Sequence, residues 1–186
     1  MAYGNDLYYR IHWEKVWTDP ANTPLDVEHM DRLYTTIMLA QVSANAFNAE
    51  RWAPYKLSAP WVARYCPDVG DENVPILSRE RYLEILRHIW LRGADTMQIF
   101  NAHRKEYPQI ATEEVEDAVA VYGEVLAFRR FLDHGAIMNT TIPRPEDDGV
   151  IWSGLRLEDE AVVRIFTPAD KTATVTLAPW PGTEVG

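Results

Sequence analysis

The run Leu77-Ser78-Arg79-Glu80-Arg81-Tyr82-Leu83-Glu84-Ile85-Leu86-Arg87-His88-Ile89-Trp90-Leu91-Arg92-Gly93-Ala94-Asp95-Thr96-Met97-Gln98-Ile99-Phe100-Asn101 contains a helix start, a helix stop and a strand. Ser78 is a residue type whose side-chain oxygen satisfies the free N–H groups of a first helical turn. Tyr82, Leu83, Leu86, Ile89 and Trp90 then recur at the spacing of one helical face. Gly93 is a natural stop, so the pattern predicts a helix from Ser78 to about Arg92. Ala94 to Asn101 reads as the strand that follows.

The same grammar extends in both directions. Downstream, Thr112 with Glu113 and Glu114 opens a second helix, which runs to about His134 on Val115, Val119, Tyr122, Val125, Leu126, Phe131 and Leu132 and ends at Gly135. Val119 and Leu126 are expected in the core with Leu86 and Ile89. Upstream, Ser58 to Tyr65 reads as a short strand that starts beside Pro60, and Asp6 to Trp13 as an aromatic-rich one. Between them, Thr23 or Asp26 caps a helix to roughly Asn45 that carries Leu33, Ile37, Met38 and Val42. Beyond Gly135 the helical period stops. Val150 to Leu157, Ala161 to Thr167 and Thr172 to Leu177 are three short β runs, too closely spaced for helical crossovers, and they predict an antiparallel meander.

Strands alternating with helices of this length are the signature of parallel βαβ units. The expected fold is therefore α/β: βα units over residues 1–140, resembling part of a barrel, and an antiparallel region over 141–186. Three such units do not close a barrel of eight, which takes on the order of 250 residues. That leaves a piece of a longer protein, a partner polypeptide or oligomer that completes the fold, or a compact arrangement of the chain's own. The run Leu77 to Asn101 resembles the last helix-to-strand step of (β/α)8 glycoside hydrolases, in which a helix ends in a Gly-Ala-Asp-like turn. In that family a strand with an aromatic near its end and a final helix lead into a C-terminal β-sandwich. The resemblance spans Pro54 to Leu177 and implies a carbohydrate-active protein that hydrolyses or binds glycans. The family's large clan carries a glutamate nucleophile at the end of its seventh strand. With Ser58 to Tyr65 as that strand, Arg64 stands in its place.

Composition removes several alternatives. The formal net charge of -10, from 28 acidic and 18 basic residues, repels a phosphate backbone, so nucleic acid is not expected as a partner. No apolar run approaches the roughly 20 residues that span a bilayer, and Met1 to Asp6 lacks the pattern of a signal peptide, which predicts a soluble, cytoplasmic chain with no membrane partner. A lone cysteine, Cys66, builds neither a disulfide nor a thiolate metal site. His12 with Glu14, or His103 alone, gives no set of three or four metal ligands, and there is no Gly-rich phosphate loop, so neither metal nor cofactor is expected.

In a parallel array functional groups gather at the C-terminal ends of strands. That rule selects Trp13 and Glu14, then Trp61, Arg64, Tyr65 and Asp68, then Asn101 and His103. Tryptophan faces stack on sugars, and Arg64 and Asn101 suit hydroxyls. Glycoside hydrolysis needs one protonated and one ionised carboxyl group, for which Glu14 and either Asp68 or Asp71 are the candidates. Asp95 begins its strand and reads as a structural turn. The alternative function is a non-catalytic binding or assembly module that docks another chain through the aromatic loops between Trp52 and Tyr65.

Overall fold

The computed structural model describes residues 2–3, 57–64, 78–99, 105, 107–141 and 150–167. In chain order the elements are β1 (Ala2–Tyr3), β2 (Leu57–Ser58), β3 (Trp61–Val62), α1 (Arg79–Trp90), β4 (Gln98–Ile99), α2 (Pro108–Val125), a 3₁₀ turn (Leu126–Phe128), α3 (Arg129–His134), β5 (Ala136–Ile137), β6 (Ile151–Arg156) and β7 (Ala161–Phe166). The fold is mixed α/β, with a small three-stranded antiparallel sheet of order β5-β6-β7 and two parallel pairs, β1-β2 and β3-β4. The expected strand at Asp6 to Trp13, the helix capped by Thr23 or Asp26 and running to roughly Asn45, and the β run Thr172 to Leu177 lie outside the described residues.

Helix α1 forms where the sequence placed it. Ser78 accepts a hydrogen bond from the Arg81 backbone N–H, and Gly93, at φ 86°, adopts the left-handed conformation that turns the chain out of the helix. Tyr82, Ile85, Leu86 and Ile89 are almost fully buried. They form the core with Val62, Ala94, Ala118, Val121 and Val125, and Ile99 and Met97 pack against it. Asp95 is structural, as read: its Oδ2 accepts from the Ser58 N–H at 2.7 Å while its own N–H donates to Ser58 O at 2.9 Å. This exchange ties the turn after α1 to β2. Among the described residues of the expected strand Ala94 to Asn101, Gln98–Ile99 enters a ladder, parallel to Trp61–Val62. Likewise the expected strand at Ser58 is split, with Leu57–Ser58 pairing with Ala2–Tyr3.

Helix α2 departs from expectation in three ways, of which one is its end: the run expected to reach His134 is interrupted after Val125 by the 3₁₀ turn that precedes α3. The helix begins at Pro108, four residues before Thr112, because a proline at the first helical position has its φ preset and loses no hydrogen bond. Thr112 is inside the helix, its hydroxyl donating to Pro108 O at 2.8 Å. The apolar stripe is also turned outward. Val115 (44%), Val119 (66%), Tyr122 (45%) and Leu126 (41%) are exposed, whereas the buried side carries Ala111, Glu114, Asp117, Ala118, Val121 and Val125. The expected burial of Val119 and Leu126 is therefore wrong. On the inward side Asp117 meets the Arg79 guanidinium and Glu114 accepts the Arg64 backbone N–H.

The antiparallel sheet follows the sequence closely. β6 and β7 pair in register from Ile151↔Phe166 to Arg156↔Ala161 across a tight turn, in which the Leu157 N–H reaches Glu160 O at 2.8 Å. Its third described strand is Ala136–Ile137, which leaves α3 at Gly135 and pairs with Leu155 and Arg156. α1 packs against both β6 and β7. At this junction Glu84 is held between Arg87 of its own helix and Arg164 of β7.

Candidate functional site

Two of the nine sequence-selected residues, Trp61 and Arg64, lie among the described residues. Trp13, Glu14, Tyr65, Asp68, Asp71, Asn101 and His103 lie outside them. Trp61 is half-buried on β3, opposite Gln98, and Arg64 follows just past the C-terminal end of that strand. Arg64 meets the first turns of α2 there. Its backbone N–H donates to Glu114 Oε1 and its Nη1 donates to Glu113 Oε2 at 2.6 Å. One helical turn further on, Arg79 grips Asp117 as a fork, with Nε at 3.0 Å from Oδ2 and Nη2 at 2.7 Å from Oδ1. The end of β3, the start of α1 and the buried side of α2 thus converge on two arginines and three carboxyl groups.

The two adjacent glutamates have opposite proton affinities. Burial pushes the Glu114 carboxyl up to about 7, against the smaller opposing effect of the Arg64 N–H. Glu113 is held below its usual range, first by the hydrogen bond from Gln109 (3.2 Å) and then by Arg64. Neighbouring carboxyls pushed apart in this way divide into a proton donor and an ionised acceptor. Glu114 exchanges its proton near neutrality, whereas Glu113 stays charged and holds the Arg64 guanidinium.

Sequence reading missed Glu113 and Glu114 as site residues because it took them as helix-opening charges. The signal was present in the spacing. Glu114 falls on the face Ala111, Ala118, Val121, Val125, where small apolar residues recur every three or four positions, so a carboxyl there is buried by the fold. Among the described residues no group of three His, Cys, Asp or Glu side chains is close enough to hold a metal ion, and no helix is long and apolar enough to cross a membrane.

Comparison of the chain with family models, curated proteins and solved structures gave no match.

Proposed function

We propose that the chain supplies the closing βα units and adjoining β-region of a barrel-type, carbohydrate-active protein, and that the end of β3 contributes one wall of a glycan-binding rim. The observation that carries this reading is the order of elements: β3, α1 and a parallel β4, then α2, then an antiparallel sheet. In such an array the strand ends face the ligand. Trp61 offers ring surface for stacking, Arg64 stands past the end of β3 with its guanidinium paired to Glu113, and Glu114 is a carboxyl that holds its proton near pH 7, as a general acid must. Glu14 and Asp68 complete the proposed set as the further carboxyls, with Trp13, Tyr65, Asn101 and His103 as rim residues.

Titration with oligosaccharides, followed by tryptophan fluorescence, tests the reading. The expected result is a saturable change in the wild type that weakens at least ten-fold in Trp61→Ala. A folded protein that responds to no saccharide rejects it.

One observation favours a second reading, an assembly module. The outward stripe Val115, Val119, Tyr122 and Leu126 is continuous with the buried side of α2, while the opposite flank is closed by Arg79–Asp117 and Arg87–Glu124 pairs to α1. An amphipathic helix of another polypeptide fits an apolar flank of this kind. Under that reading Val119→Asp abolishes association of the chain with the polypeptide carrying that helix and leaves saccharide titrations unchanged.

A further inference from the structure

Where α1 meets the antiparallel sheet, four polar side chains are buried together: His88 and Arg92 (1% exposed each), Ser153 (0%) and Asn139 (6%). Ser153 Oγ accepts from Arg92 Nε at 2.8 Å and lies 2.8 Å from His88 Nδ1. The other arms of Arg92 donate to Thr141 O (2.7 Å) and Trp152 O (3.1 Å). Asn139 shares Trp152 O at 2.7 Å and accepts the Thr141 N–H at 2.9 Å. One guanidinium thereby joins the end of α1 to β6 and to the chain leaving β5.

Proton accounting fixes the state of the ring. Arg92 has only donors, so it occupies a lone pair of Ser153 and leaves the hydroxyl hydrogen for His88. His88 Nε2 is buried without a partner among the described residues whichever nitrogen carries the hydrogen, so Ser153 decides: a hydrogen on Nδ1 would crowd a second N–H donor onto the oxygen that already accepts from Arg92 and would displace the hydroxyl hydrogen from its acceptor. The ring is therefore neutral, with Nδ1 accepting and the hydrogen on Nε2. The charged groups facing it are Glu84, Arg87 and Arg92 from α1 and Arg164 from β7. Three cations oppose one carboxylate, and that carboxylate is already bound by Arg87 and Arg164.

We propose that this node is an acid-released latch between α1 and the antiparallel sheet, opened by a proton arriving on His88 Nδ1. Ser153 Oγ then faces N–H groups from two cations, and the junction loses its His88–Ser153 bond while two like charges, on His88 and Arg92, are pressed against one hydroxyl. The inference is independent of the saccharide reading. Burial first, and then Arg92, holds the ring's proton affinity down to about 3 from an ordinary 6.5. Proton uptake therefore accompanies opening between those values, and the opening constant rises up to about ten-fold for each pH unit lowered.

Two measurements on the full chain test the latch. Nitrogen NMR of the imidazoles at pH 7 is expected to show His88 with a bare Nδ1 and a hydrogen on Nε2; a hydrogen on Nδ1 overturns the proposal. Denaturant unfolding between pH 6.5 and 4.5, in a Glu114→Gln background that removes an opposing titration, is expected to show the unfolding constant rising as pH falls. His88→Asn, whose Oδ1 accepts near the Nδ1 position and does not titrate, should flatten that rise. An unchanged slope in His88→Asn also overturns the proposal. Where that variant does not fold at pH 7, the ring measurement on the wild type decides by itself.

Discussion

Helices α1 and α2 are neighbours with similar apolar periodicity, yet one buries the stripe its sequence advertises and the other exposes it. In α1 the stripe from Tyr82 to Trp90 faces the core, and the charges at its edges are tied down by Arg87 and Glu84 contacts. In α2 the stripe from Val115 to Leu126 faces out, and Glu114 and Asp117 face in. Hydrophobic spacing identifies an apolar arc on a helix. What covers that arc depends on partners elsewhere in the chain, here Arg64 and Arg79, which give two buried carboxyls somewhere to point.

Substitutions on the two helices should therefore differ in size. Leu86→Ala, at a fully buried α1 position, is expected to cost roughly 2 to 5 kcal/mol in denaturant unfolding through lost burial and a cavity; a loss below about 0.5 kcal/mol contradicts its place in the core. Glu114→Gln tests the inward face of α2. The Glu114 carboxyl holds its proton up to about 7 when folded, against 4.5 as the ordinary value. A folded-state value raised in this way adds stability that is complete below about 4.5 and is lost as pH rises through 7. The glutamine variant keeps an acceptor for the Arg64 N–H and does not titrate, so it should gain on the wild type by roughly 1 to 2 kcal/mol between pH 5 and 8. A difference that stays flat with pH contradicts the burial of this carboxyl. Ser78→Ala should cost about 1 kcal/mol by removing the bond to the Arg81 N–H at the start of α1. Val119→Ala, on the open stripe, should stay within about 0.5 kcal/mol; a larger loss means that the stripe is covered in solution.

The parts of the fold legible in the sequence are those governed by local rules. Ser78, Gly93 and the Leu86 to Trp90 spacing define α1, and the turn Glu158-Asp159-Glu160 between two β-rich runs defines the β6-β7 hairpin. Long-range pairing was not legible. Nothing local distinguishes Ala136–Ile137 as a strand, because two residues have no period, and their place comes from pairing with Leu155 and Arg156. The start of α2 was misread because a threonine before two glutamates looks like a cap, while Pro108 does the same work earlier with no side-chain bond. Of the residues selected by the strand-end rule, Arg64 lies just past the C-terminal end of β3, whereas Trp61 is the first residue of that strand. The rule did not find Glu114, whose altered proton affinity depends on the surroundings that the packed helix creates. His88, Arg92 and Ser153 are further from local rules still, since their meeting joins residues about sixty positions apart.

Gly93 sits at φ 86° between a helix and the Asp95–Ser58 exchange. That is the mirror image of the region favoured by ordinary amino acids. Chirality at this single carbon is therefore informative: L-alanine at position 93 opposes the turn, whereas D-alanine, introduced by chemical ligation, matches it and removes conformational freedom from the unfolded chain. A pair of proteins identical in composition and differing only in the handedness of one methyl group would isolate the contribution of this turn to bringing β4 beside β3.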